Sequence, residues 1–283
     1  MSESEGHGGD ESPAEFMAEV RIVRVEGGAS GETDDVVARE EPVEIRVEGK
    51  SVAVTMRTPG HDRELAAGFL LGEGIVRRAD DIFEIAQCPA LDGEESEGNG
   101  VDVLLTKGVS VDFDKLTRHV FSTSSCGICG KASIDGVFQQ FPPVSAGWAV
   151  GANLICSLPD RLSEAQPTFA RTGGLHASAL FDREGNLLVV REDVGRHNAL
   201  DKVLGHALLE GMLPLSDHIL LMSGRVSFEL MQKALAAGVP LVAAISAPSS
   251  LAVEFAKRGG QTLAGFVRGG RMNLYSGSEC ILC

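Results

Sequence analysis

Residues 219–260 read ILLMSGRVSFELMQKALAAGVPLVAAISAPSSLAVEFAKRGG. Four apolar residues, Ile219 to Met222, make the short continuous run expected of a strand buried on both faces. Ser223-Gly224-Arg225 breaks that run. Val226 to Ala237 follows with helical spacing, carries Glu229 and Lys233 at i,i+4, and closes at Gly238. The same order then recurs. Leu241 to Ile245 is a second apolar strand, Ser246-Ala-Pro248-Ser-Ser250 is the break, and a helix ends near Lys257 with Gly259 after it. Gln261 to Val267 and Met272 to Tyr275 complete the sheet. Strands alternating with helices predict an α/β fold whose sheet is mainly parallel, with helices on its faces.

Upstream, Ala177 to Phe181 and Leu187 to Val190 predict a hairpin across Asp182 to Gly185. A helix from about Asn198 to Glu210 follows, because Leu200, Val203, Leu204, Ala207 and Leu208 keep helical spacing and Gly211 stands at its end. Residues 16–115 read differently, as a smaller α+β region. Phe16 to Val25 is a strand and the Gly-rich, charged piece Glu26 to Asp35 a loop. Val43, Ile45 and Val47 alternate with charges, as do Val52, Val54 and Met56, and Glu48-Gly49-Lys50 between them is a hairpin turn. Thr58-Pro59-Gly60 stops that strand before a helix, Arg63 to Leu71. Ile82 to Ala86 and Val101 to Leu105 are further strands. Residues 1–15 are rich in Gly, Ser and Glu and read as a disordered tail. The predicted division is therefore 1–15, 16–115 and 116–283.

The chain has 283 residues, 43% apolar, and a net charge of −15. The charge is uneven: residues 1–115 hold 27 acidic and 11 basic residues, residues 116–283 hold 13 and 14. Such an acidic half repels nucleic acid and anionic lipid, whereas the nearly neutral half can take an anionic small ligand. No apolar run approaches the roughly 18 residues of a membrane span. The N-terminus lacks the basic and apolar regions of a signal peptide. Six cysteines are too few for a disulfide scaffold, and the expectation is a cytoplasmic protein with reduced thiols.

Two of those cysteines stand in Phe121-Ser-Thr-Ser-Ser-Cys126-Gly-Ile-Cys129-Gly-Lys131, a loop in character, with glycines at Gly127 and Gly130. A C-x-x-C pair is half of a zinc site, a redox dithiol, or a nucleophile with a helper. A second pair, Cys280 and Cys283, keeps zinc open, although the 150 residues between the pairs and the position near the chain end speak against a compact site. A helix starting near Gly130 would favour thiolate, by roughly 0.3–1 kcal/mol. That is less than one pKa unit, about 1.4 kcal/mol, so Lys131 and the neighbouring thiol would have to add to it. Cys88 and Cys156 have no partner pattern and read as small core residues.

Three further segments suit an anionic ligand. Ser223 to Arg225 and Ser246 to Ser250 are strand-to-helix loops, where ligands of open α/β sheets gather and where helix N–H groups meet phosphate; as simple helix caps the same serines need no ligand. Phe266-Val267-Arg268-Gly269-Gly270-Arg271 places two glycines between two arginines and is either a solvated hairpin or a guanidinium site for phosphate. His176, in Thr172-Gly-Gly-Leu-His176, and His197, in Asp193-Val-Gly-Arg-His197-Asn198, lie beside glycines near element ends. Each is read as a structural histidine before an acid or base, and Asp193 as orienting a histidine or capping a helix with Asn198.

Taken together, Met56-Arg-Thr-Pro59, Glu64-Leu-Ala-Ala-Gly-Phe-Leu71, Glu73-Gly-Ile75, Ser124-Ser-Cys-Gly-Ile-Cys-Gly130, Thr172-Gly-Gly-Leu-His-Ala-Ser178, Glu192-Asp-Val-Gly-Arg-His-Asn-Ala199 and Ser223-Gly-Arg225 resemble the formate dehydrogenase accessory sulfurtransferases, the FdhD-type proteins. The resemblance runs from about Val36 to Ser276. It implies a cytidine-deaminase-like three-layer α/β core and a homodimer. It implies a sulfurtransferase that receives sulfur as a persulfide from a cysteine desulfurase. The sulfur then passes to the bis(molybdopterin guanine dinucleotide) molybdenum cofactor before that cofactor enters formate dehydrogenase. On this resemblance Cys126 carries the persulfide, and Cys129 assists or protects it. Phe266 to Arg271 binds the cofactor, which is a substrate and not a resident group, and the loop at Ser223, Gly224 and Arg225 suits its phosphates. No bound metal is implied. Deamination is not implied either, since His176-Ala-Ser178 lacks the glutamate of a zinc deaminase and Cys126 and Cys129 precede it. A cofactor-binding chaperone that passes no sulfur is the second reading, and a zinc-stabilised interaction protein the third.

Overall fold

A computed structural model describes residues 16–88, 99–113, 138 and 140–283. The tail 1–15, the boundary near Lys115 and the thiol segment 121–131 lie outside these residues. The N-terminal part holds β1 (Met17–Glu26), β2 (Ala29–Ala38), β3 (Glu41–Val47), β4 (Lys50–Arg57), α1 (Asp62–Gly72), β5 (Ile82–Cys88) and β6 (Gly100–Leu105). The C-terminal part begins with β7 (Val150–Gly151), α2 (Ala152–Glu164) and α3 (Pro167–Thr172). It continues through β8 (His176–Phe181), β9 (Leu187–Asp193), α4 (Arg196–Leu209), β10 (Ile219–Met222), α5 (Phe228–Ala236), β11 (Leu241–Ala244) and α6 (Ser250–Gly259). It closes with β12 (Thr262–Arg268), β13 (Arg271–Ser276) and β14 (Ile281–Leu282).

A mixed α/β architecture results. The central sheet has six strands in the order β13-β12-β11-β10-β8-β9. The buried run at 219–222 sits inside it, as its lack of polar residues requires. Ile219 pairs with Leu241 in parallel and with Phe181 antiparallel. Only β10–β11 and β11–β12 are parallel; β8–β10, β8–β9 and β12–β13 are antiparallel. The expectation of a mainly parallel sheet is thus corrected to a mixed one. Two hairpins flank the parallel centre, and alternation of element types alone does not fix strand direction.

The pleat sends successive residues of each strand to opposite faces. Leu220, Met222, Val242 and Ala244 enter one core with Leu200, Val203, Leu230, Met231 and Phe255 of α4, α5 and α6. Ile219, Leu221, Leu241 and Ala243 enter another with Ile155, Leu158 and Leu162 of α2. The second sheet, β4-β3-β6-β5, lays Val43, Ile45, Val52, Val101 and Val103 against the first core, which is therefore continuous from Val43 to Leu263. The turn between β3 and β4 is the expected one, with Glu48 and Gly49 both at positive φ (53° and 75°), as a two-residue hairpin requires.

Three elements differ from the sequence expectation. The charged piece 26–35 is not a loop: most of it is β2, paired with β1 along ten residues from Met17↔Ala38 to Glu26↔Ala29. Helices α2 and α3 were not expected, and α2 carries Pro159 within it. Cys88 and Cys156 are half-buried, not core; Cys88 Sγ accepts a hydrogen bond from Arg46 Nη1 at 3.5 Å. At the chain end β14 pairs in parallel with β7, and Ile281 is buried in the second core.

Candidate functional site

The loops that leave β10, β11 and β12 form one rim at the same edge of the central sheet. Ile245 N donates to Met222 O (3.0 Å), Val226 N to Ala247 O (3.1 Å), and Ser249 N to Val226 O (2.9 Å). Phe266 N donates to Ser246 O (3.1 Å), which ties the third loop to the second. The expected ligand segments Ser223 to Arg225, Ser246 to Ser250 and Phe266 to Arg271 are therefore neighbours, although more than forty residues separate the first from the last.

Each loop has its own local cause. Ser223 N and Oγ bond Ala177 O and Ala177 N (both 2.9 Å), so this residue staples the loop to β8. Ser249 Oγ accepts from Ala252 N and caps α6, the plain reading of that serine. In the third loop a bulge places Phe266 at φ 55°, a left-handed conformation uncommon for a bulky side chain. Gly269 and Gly270 take the positive φ of the tight turn, and Arg268 lies 5.8 Å from the Phe266 ring. Arg268, Gly269, Gly270 and Arg271 are exposed, Phe266 is half-buried and Val267 is buried.

Because β8 runs antiparallel to β10, the first residue of β8 meets the loop after β10. A Cβ at Gly224 would lie 3.1 Å from His176 Nδ1, tighter than an ordinary contact, and 3.5 Å from Arg196 Cβ, so this backbone lies close against the imidazole. Burial, then Arg196 and Arg225, push the His176 pKa below its ordinary value. His197, next along α4, also bears on His176, while its Nε2 stands 2.9 Å from Glu229 Oε2. Glu229 thus meets His197, while Lys233 Nζ meets both oxygens of Asp201 at 2.8 and 2.9 Å. Burial opposes the Lys233 ammonium, but Asp201 and Glu73 outweigh it and raise its pKa.

Under the rim lies a buried ionic junction. Asp193 and Lys202 are both fully buried, 2.8 Å apart. The Asp193 carboxylate also accepts from Thr58 N, Gly195 N and Asn198 Nδ2 (3.2, 2.8 and 2.9 Å), and Lys202 Nζ donates to Thr58 O. Asn198 Nδ2 reaches Met56 O. Asp193 therefore orients neither histidine. It joins the Met56–Pro59 segment to the start of α4. Arg57 beside it makes a two-pronged bond to Asp62, 2.9 Å at each contact.

The cysteine expectations divide. Cys126 and Cys129 lie outside the described residues. Cys280 and Cys283 flank an extended Ile281 (φ −113°, ψ 120°), so three residue steps of strand separate them by roughly 10 Å. That exceeds the about 7 Å Cα separation a disulfide tolerates.

Comparison with known proteins settles the lineage. The FdhD/NarQ family model matches residues 38–282, most of the chain. The chain belongs to the FdhD/NarQ family. Among its relatives, the sulfur carrier protein FdhD of Streptomyces avermitilis is 51% identical, covering 92% of this chain and 94% of that protein. The sulfur carrier protein FdhD of Mycobacterium tuberculosis is 50% identical, covering 87% and 92%. A crystal structure from Desulfotalea psychrophila, described as a candidate formate dehydrogenase accessory protein, superposes with a TM-score of 0.75. It is 28% identical and covers 94% of this chain and 100% of its own. Sequence reasoning did not single out Arg196 as a rim residue. Its signal was only its place between Gly195 and His197, and the pairing of β8 with β10 is what gives that place meaning.

Proposed function

We propose that this FdhD/NarQ protein is a sulfur carrier that delivers sulfur to the bis(molybdopterin guanine dinucleotide) molybdenum cofactor, its substrate, for formate dehydrogenase. Kinship to proteins named sulfur carriers, at about half identity over nearly full length, supports the carrier role. The observation that carries the cofactor part is the rim. Two arginine-bearing loops, Ser223 to Arg225 and Phe266 to Arg271, are held side by side through Ser246 and Ala247. The strained φ of Phe266 fits a functional segment, where such strain concentrates. A cytidine-deaminase-like three-layer core, a homodimer and a cytoplasmic location belong to the same proposal.

The chemistry assigns Cys126 and Cys129 distinct parts. The Cys126 thiolate attacks the outer sulfur of a persulfide on a cysteine desulfurase. The donor S–S bond breaks, its electron pair and a proton stay on the donor cysteine, and a new S–S bond forms on Cys126. Release of that sulfur as sulfide needs two electrons. The Cys129 thiol supplies them by forming a disulfide with Cys126 as sulfide leaves with the proton, and a cellular thiol then reduces the disulfide.

Intact-protein mass spectrometry after incubation with a desulfurase and cysteine tests this. One added sulfur atom is expected on wild type and on Cys129→Ala, mapping to Cys126, and none on Cys126→Ala. Cys126→Ala should retain its fold and fail to activate formate dehydrogenase, whereas Cys129→Ala should lose less because an external thiol substitutes. Cys280→Ala and Cys283→Ala should resemble wild type. Desulfurase-dependent activation by Cys126→Ala would instead favour a chaperone that holds the cofactor without passing sulfur.

A further inference from the structure

We propose that the outer edge of β1 is the surface through which two copies of this chain pair, strand against strand, antiparallel about Val20. This rests on the homodimer of the proposed function and supplies its surface and its register.

The β1–β2 hairpin is a two-stranded sheet of its own, and no third strand joins it among the described residues. Its foot is held: Met17 is buried, Arg39 N donates to Phe16 O at 2.8 Å, and β2 lies against α3. From there the ribbon runs outward to Glu26↔Ala29, and Val23 and Val25 near its tip are 63% and 67% exposed. A lone two-stranded ribbon is at best marginally stable in water, and an open strand edge is a template for another chain. The two edges are not alike. β2 carries Glu32, Asp34 and Asp35 and has α3 beside it. β1 carries Val20, Ile22, Val23 and Val25 among Glu19, Arg21, Arg24 and Glu26, and is the edge suited to a strand.

The sequence of β1 points to a second β1 as that strand. A two-fold contact sets a surface against itself. Residues opposite each other in an antiparallel pair point both toward or both away from the partner strand, so the axis passes through a residue. Axes at Glu19, Arg21 or Arg24 put like charges face to face. Axes at Ile22 or Val23 set arginine against valine or isoleucine. An axis at Val25 sets Arg24 against Glu26 and then runs into the turn at Gly27. An axis at Val20 sets Val20 against itself, Glu19 against Arg21 twice and Ala18 against Ile22 twice, along seven residues from Met17 to Val23. Opposite charges across a strand pair attract and like charges repel, so this register is favoured. Among the described residues Glu19 meets no cation, and Arg21 bonds Asp34 of β2 at 3.0 Å on its inner side. Glu19 of the other copy completes its outer side. In this register the residues beyond Val23 run past Met17 of the other copy toward its body, which gives the exposed valines of the tip a surface to meet.

Sedimentation velocity of the full-length protein over a range of concentrations, with reductant present, tests the pairing. Wild type should be a dimer. Val20→Lys places two ammonium groups on the axis, and Glu19→Arg turns both Glu19–Arg21 contacts into repulsions. Each should raise the dimer dissociation constant about tenfold or more. Phe83→Lys, at an exposed apolar position on β5 outside the arm, should sediment as wild type. Glu19 is exposed, so its variant should keep the wild-type circular dichroism and remain readable if Val20→Lys folds poorly. The register has its own readout. Opposed residues have Cα atoms about 4.5–5.5 Å apart, within disulfide reach. Mild oxidation should therefore link Val20→Cys to its copy and leave Val25→Cys unlinked, with wild type as the control for the native thiols. A monomeric wild type overturns the proposal, as do Glu19→Arg and Val20→Lys proteins that dimerise like wild type, or a link in Val25→Cys with none in Val20→Cys. If Cys126 takes up sulfur in those cases, the sulfur-carrier reading stands without this surface. If the Val20→Cys link forms while Cys126 takes up no sulfur, the carrier reading falls and the pairing stands.

Discussion

At the scale of single residues, the most consequential position is not on the rim but beneath it. Asp193 and Lys202 are each 0% exposed and bind each other and Thr58. Taking such a pair out of water costs several kcal/mol per ion, which the attraction and hydrogen bonds offset. Removing one partner leaves the cost without the return. Lys202→Met should therefore destabilise the protein by about 3–5 kcal/mol, although Asp193 keeps its bonds to Gly195 and Asn198. Urea unfolding monitored by circular dichroism reads this as a fall in midpoint at unchanged slope; a loss below about 1 kcal/mol would place the junction among weak surface pairs. The junction also explains two sequence motifs without assigning them chemistry. Met56 to Pro59 and Asp193 to Asn198 meet here through Met56 O, Thr58, Asp193, Val194 N and Asn198, and the junction accounts for the identities of Thr58, Asp193 and Asn198.

Among elements, the contact between α1 and α4 sets the frame. A Cβ on Gly68 would stand 1.9 Å from Asp201 O, and one on Gly205 would stand 1.8 Å from Glu64 O. The helices cross backbone to backbone at these two glycines. Alanine normally gains roughly 0.5–1 kcal/mol over glycine inside a helix, but here it meets main chain that cannot rotate away. Gly205→Ala should lose at least about 2 kcal/mol, as overpacking does, and the sign alone decides. A stabilised Gly205→Ala protein in thermal melts would mean that the helices separate at little cost. What was legible in the sequence follows the same physics. The β3–β4 hairpin showed because one face is buried and one is wet, and 219–245 showed because both faces of β10 and β11 are buried. β1 showed as a strand, but its partner β2 did not, since most of its residues are exposed and leave no apolar alternation. Strand direction did not show either, and with it went the meeting of His176 with Gly224. The rim loops were readable one at a time from Ser, Gly and Arg at strand ends; their adjacency needed the sheet order.

For the whole molecule, charge makes two opposing forecasts. The pI is near 4.9, so acidification from neutral pH removes the excess negative charge and its self-repulsion. Net charge alone would thus place maximum stability near pH 5. Three histidines argue the other way. His61 is pushed down to about 4, first by burial and then by Arg191, and His176 and His218 are also lowered, chiefly by burial. Each binds its proton more weakly folded than unfolded, so the unfolded chain takes up more protons as pH falls below the ordinary histidine value. Stability should then rise with pH across the window from about 4 to 6.5, and fall as that window is crossed downward. Glu64 acts in the same direction lower down: burial raises its pKa, but Arg191, His61 and His206 hold it below the ordinary value. The His61 side chain is 35% exposed, so solvent screening cuts its share to roughly 1–2 kcal/mol. All three histidines act in the same direction. Urea midpoints should therefore decline steadily from pH 7 to pH 4.5. His61 sits at φ 55° at the start of α1, a conformation asparagine tolerates, so His61→Asn should keep the fold and flatten that decline. A midpoint that peaks near pH 5 in wild type, or a slope unchanged in His61→Asn, would return the decision to net charge.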